Sequence, residues 1–307
     1  MSRIGLASAV AWTAVTYSLL TTSATYAQES APRAESASDA GAAVWQAAEA
    51  AMQRGPQTVE LHDQAKLALP AGYGFVPAKE GAAVMDQLGN STDERFIGLI
   101  FPQAEANWFV TVQYEPSGYI KDDDAKEWDA DELLQSLKDG TKAANEHRKE
   151  MGIAPIEVTR WVEVPAYDQA MHRLVWSAEA RDISGESDDP TINYNTYVLG
   201  REGYVSLNLI TSASQIEADK PAARELLAAV DFNDGKRYTD FNASTDKVAA
   251  YGLAALVGGI AAKKLGLLAM IGVFIAKFAK VIIVGVAAAG AGVAKLFGKR
   301  KVGNSPT

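Results

Sequence analysis

The chain has 307 residues, carries 38 Asp and Glu against 29 Lys and Arg for a net charge of −9 at pH 7, and contains no cysteine. The missing thiols exclude disulfides, cysteine nucleophiles and thiolate zinc sites, and the acidic balance excludes nucleic acid as a partner, because a phosphate backbone selects basic surfaces. The charge is unevenly placed: nine bases from Lys247 onward face no acid, whereas residues 28–246 carry 38 acids against 19 bases, so an acidic body leads into a basic tail.

In chain order, residues 1–27 predict a secretory signal peptide: Arg3 gives a positive start, Ile4 to Leu20 an apolar run, and Thr25-Tyr26-Ala27 a small-residue cleavage site. Residues 28–50 are Ala, Ser and Glu without periodicity and predict a disordered linker, with a short helix beginning near Val44 and ended by Gly55-Pro56. The body is expected over 51–246. Val59 and Leu61, then Leu67 and Leu69, flank the turn His62-Asp63-Gln64-Ala65 and predict a hairpin. Arg95–Phe101 and Trp108–Tyr114 predict two paired strands. Asp129 then caps a helix, with Glu132 three residues on, Leu133, Leu137 and Ala144 at helical spacing, and Gly152 and Pro155 as the stop.

Four further strands are expected at 157–164, 169–180, 191–199 and 203–211, joined by short turns and an acidic loop at 182–190; Gly200 to Gly203 is a hairpin turn. Pro221 is expected to open a helix through Leu226, Leu227 and Val230. These elements predict an α+β body with a mainly antiparallel sheet and flanking helices, similar in element order to small exported domains of the PsbP-like fold.

Residues 247–307 predict a transmembrane helical tail. Lys263, Lys264, Lys277, Lys280 and Lys295 divide it into charge-free runs of 15, 12 and 14 residues, each short of the roughly 20 that a bilayer needs. On one continuous helix Lys263, Lys277, Lys280 and Lys295 share a stripe that can snorkel or face a partner helix. One span near 265–294, with Lys299-Arg300-Lys301 inside, stands against a two-span hairpin turning at Lys263-Lys264. Small-xxx-small pairs such as Ala255/Gly259 and Ala288/Gly292 allow the tail to self-associate.

The strings LALPAGYGFVP, YEPSGYIKDDDAKEWDADELL, MHRLVWSAEA, NYNTYVLGREGYVSLNL and FNASTDKVAAYGLAALVGGIAAKKLG, spread over residues 45–300, resemble the bacterial membrane-anchored proteins of the domain-of-unknown-function 2167 family. The resemblance implies a bacterial inner-membrane protein with a periplasmic body. It implies no established activity and supplies no catalytic residues.

Residue chemistry has to name its own candidates. Asp122, Asp123 and Asp124, with Glu127, Asp129, Asp131 and Glu132, collect carboxylates. The calcium-loop pattern fails, because Lys126, Glu127 and Leu133 occupy positions that need an oxygen ligand, a glycine and a bidentate Glu. His62, His147 and His172 have no metal-ligand spacing, and no G-x-S-x-G occurs, so no metal, cofactor or catalytic residue is assigned. Asp122, Asp123, Asp124, His172 and Tyr194 are the ligand or partner candidates. Lys263, Lys264, Lys277 and Lys280 are the anchor's basic residues. The expected function is a binding or regulatory module of the cell envelope whose partners are the lipid bilayer and an envelope protein or a second copy. The alternatives are an anchored hydrolase using a carboxylate or His172, and a membrane-active assembly driven by the Gly/Lys tail.

Overall fold

The computed structural model describes residues 33–150, 154–183 and 189–258. In chain order the elements are α1 (Arg33–Ala51), β1 (Gln53–Arg54), β2 (Gln57–Leu61), β3 (Ala65–Leu69), β4 (Tyr73–Pro77), α2 (Ala78–Gln87), β5 (Phe96–Pro102), β6 (Phe109–Glu115), α3 (Ala130–Glu150), β7 (Ile156–Asp168), β8 (Arg173–Asp182), β9 (Thr191–Leu199), β10 (Tyr204–Ser212), α4 (Ile216–Ala228), β11 (Val230–Phe232) and α5 (Ala255–Gly258). Eight strands form one antiparallel sheet in the order β1-β4-β5-β6-β10-β9-β8-β7, and three more form a small sheet in the order β11-β3-β2.

Alternation sorts the side chains of the large sheet to its two faces. On one face Val110, Val112, Tyr194, Val198, Val205, Leu207 and Leu209 pack against Val59, Leu61 and Leu67 of the small sheet and against Leu226 and Leu227 of α4. The opposite face is covered in two parts. At the β4–β5–β6 side, Val76, Leu99, Phe101 and Phe109 meet Ala48 of α1, Val84 and Met85 of α2, and Leu88 just after it. Towards β8, Leu174, Tyr197 and Leu199 meet Leu133 of α3 together with Leu253 and Val257. Gly203 closes the β9–β10 hairpin, where a Cβ would come within 1.9 Å of the Glu115 carbonyl oxygen, so no larger residue fits without moving backbone.

The α+β class, the antiparallel sheet and the flanking helices agree with the sequence pattern, and several details do not. The expected linker at 28–50 is helical from Arg33. Its final turns are fixed by tertiary packing that composition cannot report: Ala48 is buried and the Trp45 ring meets Phe101 edge-on at 6.1 Å. β4 and α2 carry no sequence warning, because Pro70, Gly72, Gly74 and Pro77 read as turn residues. α4 begins at Ile216 rather than at Pro221, since the Gln215 carbonyl closes the first turn on Ala218 and Asp219 and the helix accepts the proline inside it.

The boundary expected at Lys247 also moves. Residues 247–258 belong to the body, with Leu253 and Val257 at 0% and 2% exposure. Among the described residues no helix is long and apolar enough to cross a membrane. The expected transmembrane tail from 259 onward lies outside the described residues, as do Lys263, Lys264, Lys277 and Lys280, the signal peptide at 1–27 and the first residues of the expected linker.

Candidate functional site

The loop after β6 is the meeting point of distant parts of the chain. Gly118 (φ +92°) turns it, and a Cβ there would come 2.6 Å from the Lys247 carbonyl oxygen, so glycine is needed both for the turn and for the close approach. The Tyr119 N–H donates to Lys247 O (2.8 Å) and the Ala249 N–H donates to Tyr119 O (2.8 Å), which forms a parallel bridge between Tyr119 and Val248. A 3-10 turn at Asp123–Lys126 then presents the Asp124 carboxylate, which accepts the Leu253 N–H (3.1 Å) and the Ala254 N–H (3.0 Å). Asp124 therefore satisfies two otherwise unpaired N–H groups at the start of α5. The approach is fixed as well: the Arg201 guanidinium grips Asp246 with two hydrogen bonds of 2.6 and 2.8 Å. We refer to residues 247–258 as the strap.

Beside the strap stands a column of rings. Phe241 stacks on Tyr119 (centroids 3.8 Å), Tyr119 on Tyr238 (4.4 Å), and Tyr238 meets His172 (4.2 Å). The Tyr238 hydroxyl donates to Ile120 O (2.8 Å). The Tyr167 hydroxyl donates its only proton to Asp122 Oδ2 (2.8 Å), so the 3.2 Å contact between the Tyr167 oxygen and His172 Nδ1 requires the hydrogen on Nδ1. Burial, then the Asp122 carboxylate, push the Tyr167 phenol well above its ordinary range, so it stays a donor.

His172 sits in the β7–β8 turn at φ +52° rather than within the strand expected at 169–180. Burial lowers its pKa below the usual 6.5, against the opposing pull of Asp122 and Asp168. The folded state thus prefers neutral His172, while the unfolded chain takes up a proton as pH falls through about 6.5. The stability His172 contributes is complete above that pH and is lost as pH drops toward the lowered folded-state value. His172→Asn, a residue that accepts positive φ, is expected to flatten the fall in stability between about pH 7.5 and 5.5 relative to the parent chain in urea unfolding. Equal slopes would place His172 in solvent.

Asp122 and Tyr167 also line an open cleft of about 230 Å³, with Lys126, Trp128, Pro165 and Gln169. None of its lining residues carries an aliphatic hydroxyl or a thiol, and among the described residues no group of three His, Asp or Glu is placed to hold a metal ion. The cleft offers one carboxylate, one amide, one rim ammonium and two aromatic rings, a lining without serine, threonine or cysteine.

The sequence candidates separate accordingly. Asp122, Asp124 and His172 converge here, each in a different task. Asp123 is exposed on the same turn. Tyr194 lies on the other face of the sheet, fully buried under α4, where Arg224 Nε donates to its hydroxyl (3.3 Å), so it serves the core. Tyr119, Trp128, Tyr167 and Tyr238 are not marked out by any motif; the one signal available in the sequence is their aromatic character next to turn residues.

Fold and site together define an α+β protein with a small cleft on one face and a strap, residues 247–258, bonded to the loop that lines that cleft. The chain belongs to the family described as "Protein of unknown function (DUF2167)", which matches residues 53–290, from β1 past the end of the strap. No curated protein matches it. Among solved structures it is similar to the cyanobacterial PsbP protein CyanoP from Synechocystis sp. PCC 6803, with a TM-score of 0.37 and 11% identity over 60% of this chain and 94% of that one. It is also similar to the Saccharomyces cerevisiae Ran-binding protein Mog1p, with a TM-score of 0.33 and 11% identity over 58% of this chain and 96% of that one.

Proposed function

We propose that the protein is a binding or regulatory module of the bacterial cell envelope, held to the inner membrane by residues 259–307 with its body on the periplasmic side. One observation carries this reading. The loop of residues 119–126 both lines the cleft, through Asp122 and Lys126, and holds the strap, through Tyr119 and Asp124. The chain's path to its apolar, basic tail thus runs against the loop that lines the cleft, the arrangement expected where ligand occupancy and the membrane tether are to influence each other. The acidic body, the signal-like start and the acid-free tail support the compartment and the anchor. The hydrolase reading finds no serine, threonine or cysteine in the cleft, and its carboxylate, Asp122, already accepts the Tyr167 hydroxyl.

Topology supplies the test. A reporter active only after export is expected to work when fused after Gly258 and to be silent when fused after Thr307, where a reporter that fluoresces only in the cytoplasm lights up instead. Export-dependent activity at both junctions would replace the single span with a hairpin. Silence at Gly258 would place the body in the cytoplasm and overturn the proposal.

A further inference from the structure

We infer that the cleft recognises an organic ammonium group, a small amine or quaternary ammonium held between the Asp122 carboxylate and the rings of Trp128 and Tyr167. This assignment rests on the cleft being the site of the module proposed above, and it adds the chemical class of the ligand.

At about 230 Å³ the cleft lies below the range of about 300–1,000 Å³ that holds drug-sized ligands, so it suits one small head group rather than a chain of rings or residues. Its surroundings are acidic. Residues 119–132 contain Asp122, Asp123, Asp124, Glu127, Asp129, Asp131 and Glu132 against only Lys121 and Lys126. Asp124 is occupied by the strap amides and Asp129 by the cap of α3, and the net negative charge of this segment favours cations over anions near the cleft.

The lining then decides which cation. A calcium ion needs about six to eight oxygen ligands, and the side chains here provide the Asp122 carboxylate, the Gln169 amide and a Tyr167 oxygen already engaged with both Asp122 and His172. That set is too poor in oxygen for a hard ion. An organic ammonium needs far less: one carboxylate for its charge and one or two aromatic faces for its methyl or methylene groups. A neutral sugar would use the rings and the amide but would gain nothing from the acidic surroundings.

Lys126 is exposed at the rim and supplies a sign that no general stickiness would reproduce. Its ammonium repels a bare cation. It would attract the phosphate of a zwitterionic lipid head group whose ammonium sits in the cleft. The same pocket chemistry thus has two sources, a free amine or a lipid head group, and they respond in opposite directions when Lys126 is removed.

The experiment is calorimetric titration of the full chain in a neutral polyoxyethylene detergent with choline, glycerophosphocholine and glucose at matched ionic strength. Choline is expected to saturate with a Kd near the millimolar range, as for a single partly exposed cation site. Asp122→Asn and Trp128→Ala are each expected to weaken it about tenfold, and Lys126→Ala to tighten it by roughly twofold to threefold. Asp122→Asn also touches the bond to Tyr167, so Lys126→Ala, at an exposed position, keeps the test valid if that variant loses its fold. Weaker glycerophosphocholine binding in Lys126→Ala, beside tighter choline binding, identifies a lipid head group as the source; tighter binding of both identifies a free amine. Choline binding that survives both Asp122→Asn and Trp128→Ala, or saturation by glucose with none by choline, would overturn the assignment. Neither outcome bears on the reporter fusions above, so failure of the ligand class is separable from failure of the anchored module.

Discussion

A chain ended at Asp246 is expected to melt roughly 10–20 °C below one ended at Gly258, although they differ by only the twelve residues of the strap. Leu253 and Val257 are buried at 0% and 2% exposure against Ile120, Leu133 and Tyr238. Burying such side chains is worth about 1.5–3 kcal/mol each, so their loss alone removes about 3–6 kcal/mol from a total of roughly 5–15 kcal/mol. The shorter chain also loses the amide partners of the Asp124 carboxylate and the bridge to Tyr119. Thermal unfolding followed by near-ultraviolet circular dichroism measures the difference, because the packed aromatic rings of the body give the signal. Equal melting temperatures would mean that the strap only lies on the surface.

Tyr238→Ala is expected to destabilise the body by about 3–5 kcal/mol, the usual cost of deleting a large buried ring. Tyr238 is 6% exposed, stacks on Tyr119 at 4.4 Å, meets His172 at 4.2 Å and satisfies the Ile120 carbonyl through its hydroxyl. Tyr238→Phe keeps the stacking and loses one hydrogen bond to a buried carbonyl, which costs about 1–2 kcal/mol. The two variants therefore divide the contribution into packing and hydrogen bonding in urea titrations. Burial supplies a second readout. With the ring gone His172 is wetter, its pKa returns toward 6.5, and the pH dependence assigned to it shrinks in Tyr238→Ala but not in Tyr238→Phe. Two variants of equal stability would show that Tyr238 contributes its hydroxyl and little else.

Local patterns carried most of the fold. β9 and β10 fall within a residue of the expected strands because Val205, Leu207 and Leu209 alternate cleanly, and the Asp129 cap is real, its Oδ1 accepting the Asp131 and Glu132 amides at 2.8 and 3.0 Å. The features that escaped are set by tertiary contact. α1 has little periodicity of its own and is ordered at its end by Trp45 and Ala48 against the sheet. At Lys247 the sequence marks a change of charge, which is easily taken for a change of domain. Residues 247–258 in fact belong to the body, and apolar side chains such as Leu253 and Val257, which suggest lipid, fill the core.

The site was legible as parts. Asp122, Asp124 and His172 stand out singly, but Tyr238 bonds to a carbonyl 118 positions away and Asp124 to an amide 129 positions away, distances over which no spacing rule operates. Only Tyr167 and His172, joined by one hairpin, are close in sequence, and the positive φ of His172 lets the ring turn back toward Tyr167.

The central proposal is that the body folds without residues 259–307 and that those residues hold it to the bilayer. Alkaline extraction of membranes from cells exporting the full chain and the chain ended at Gly258 tests it most directly. The full chain is expected to stay in the pellet, while the shorter chain appears in the soluble fraction with a cooperative melt close to that of the full chain. A full chain released by alkali, or a shorter chain that remains with the membranes, would contradict it.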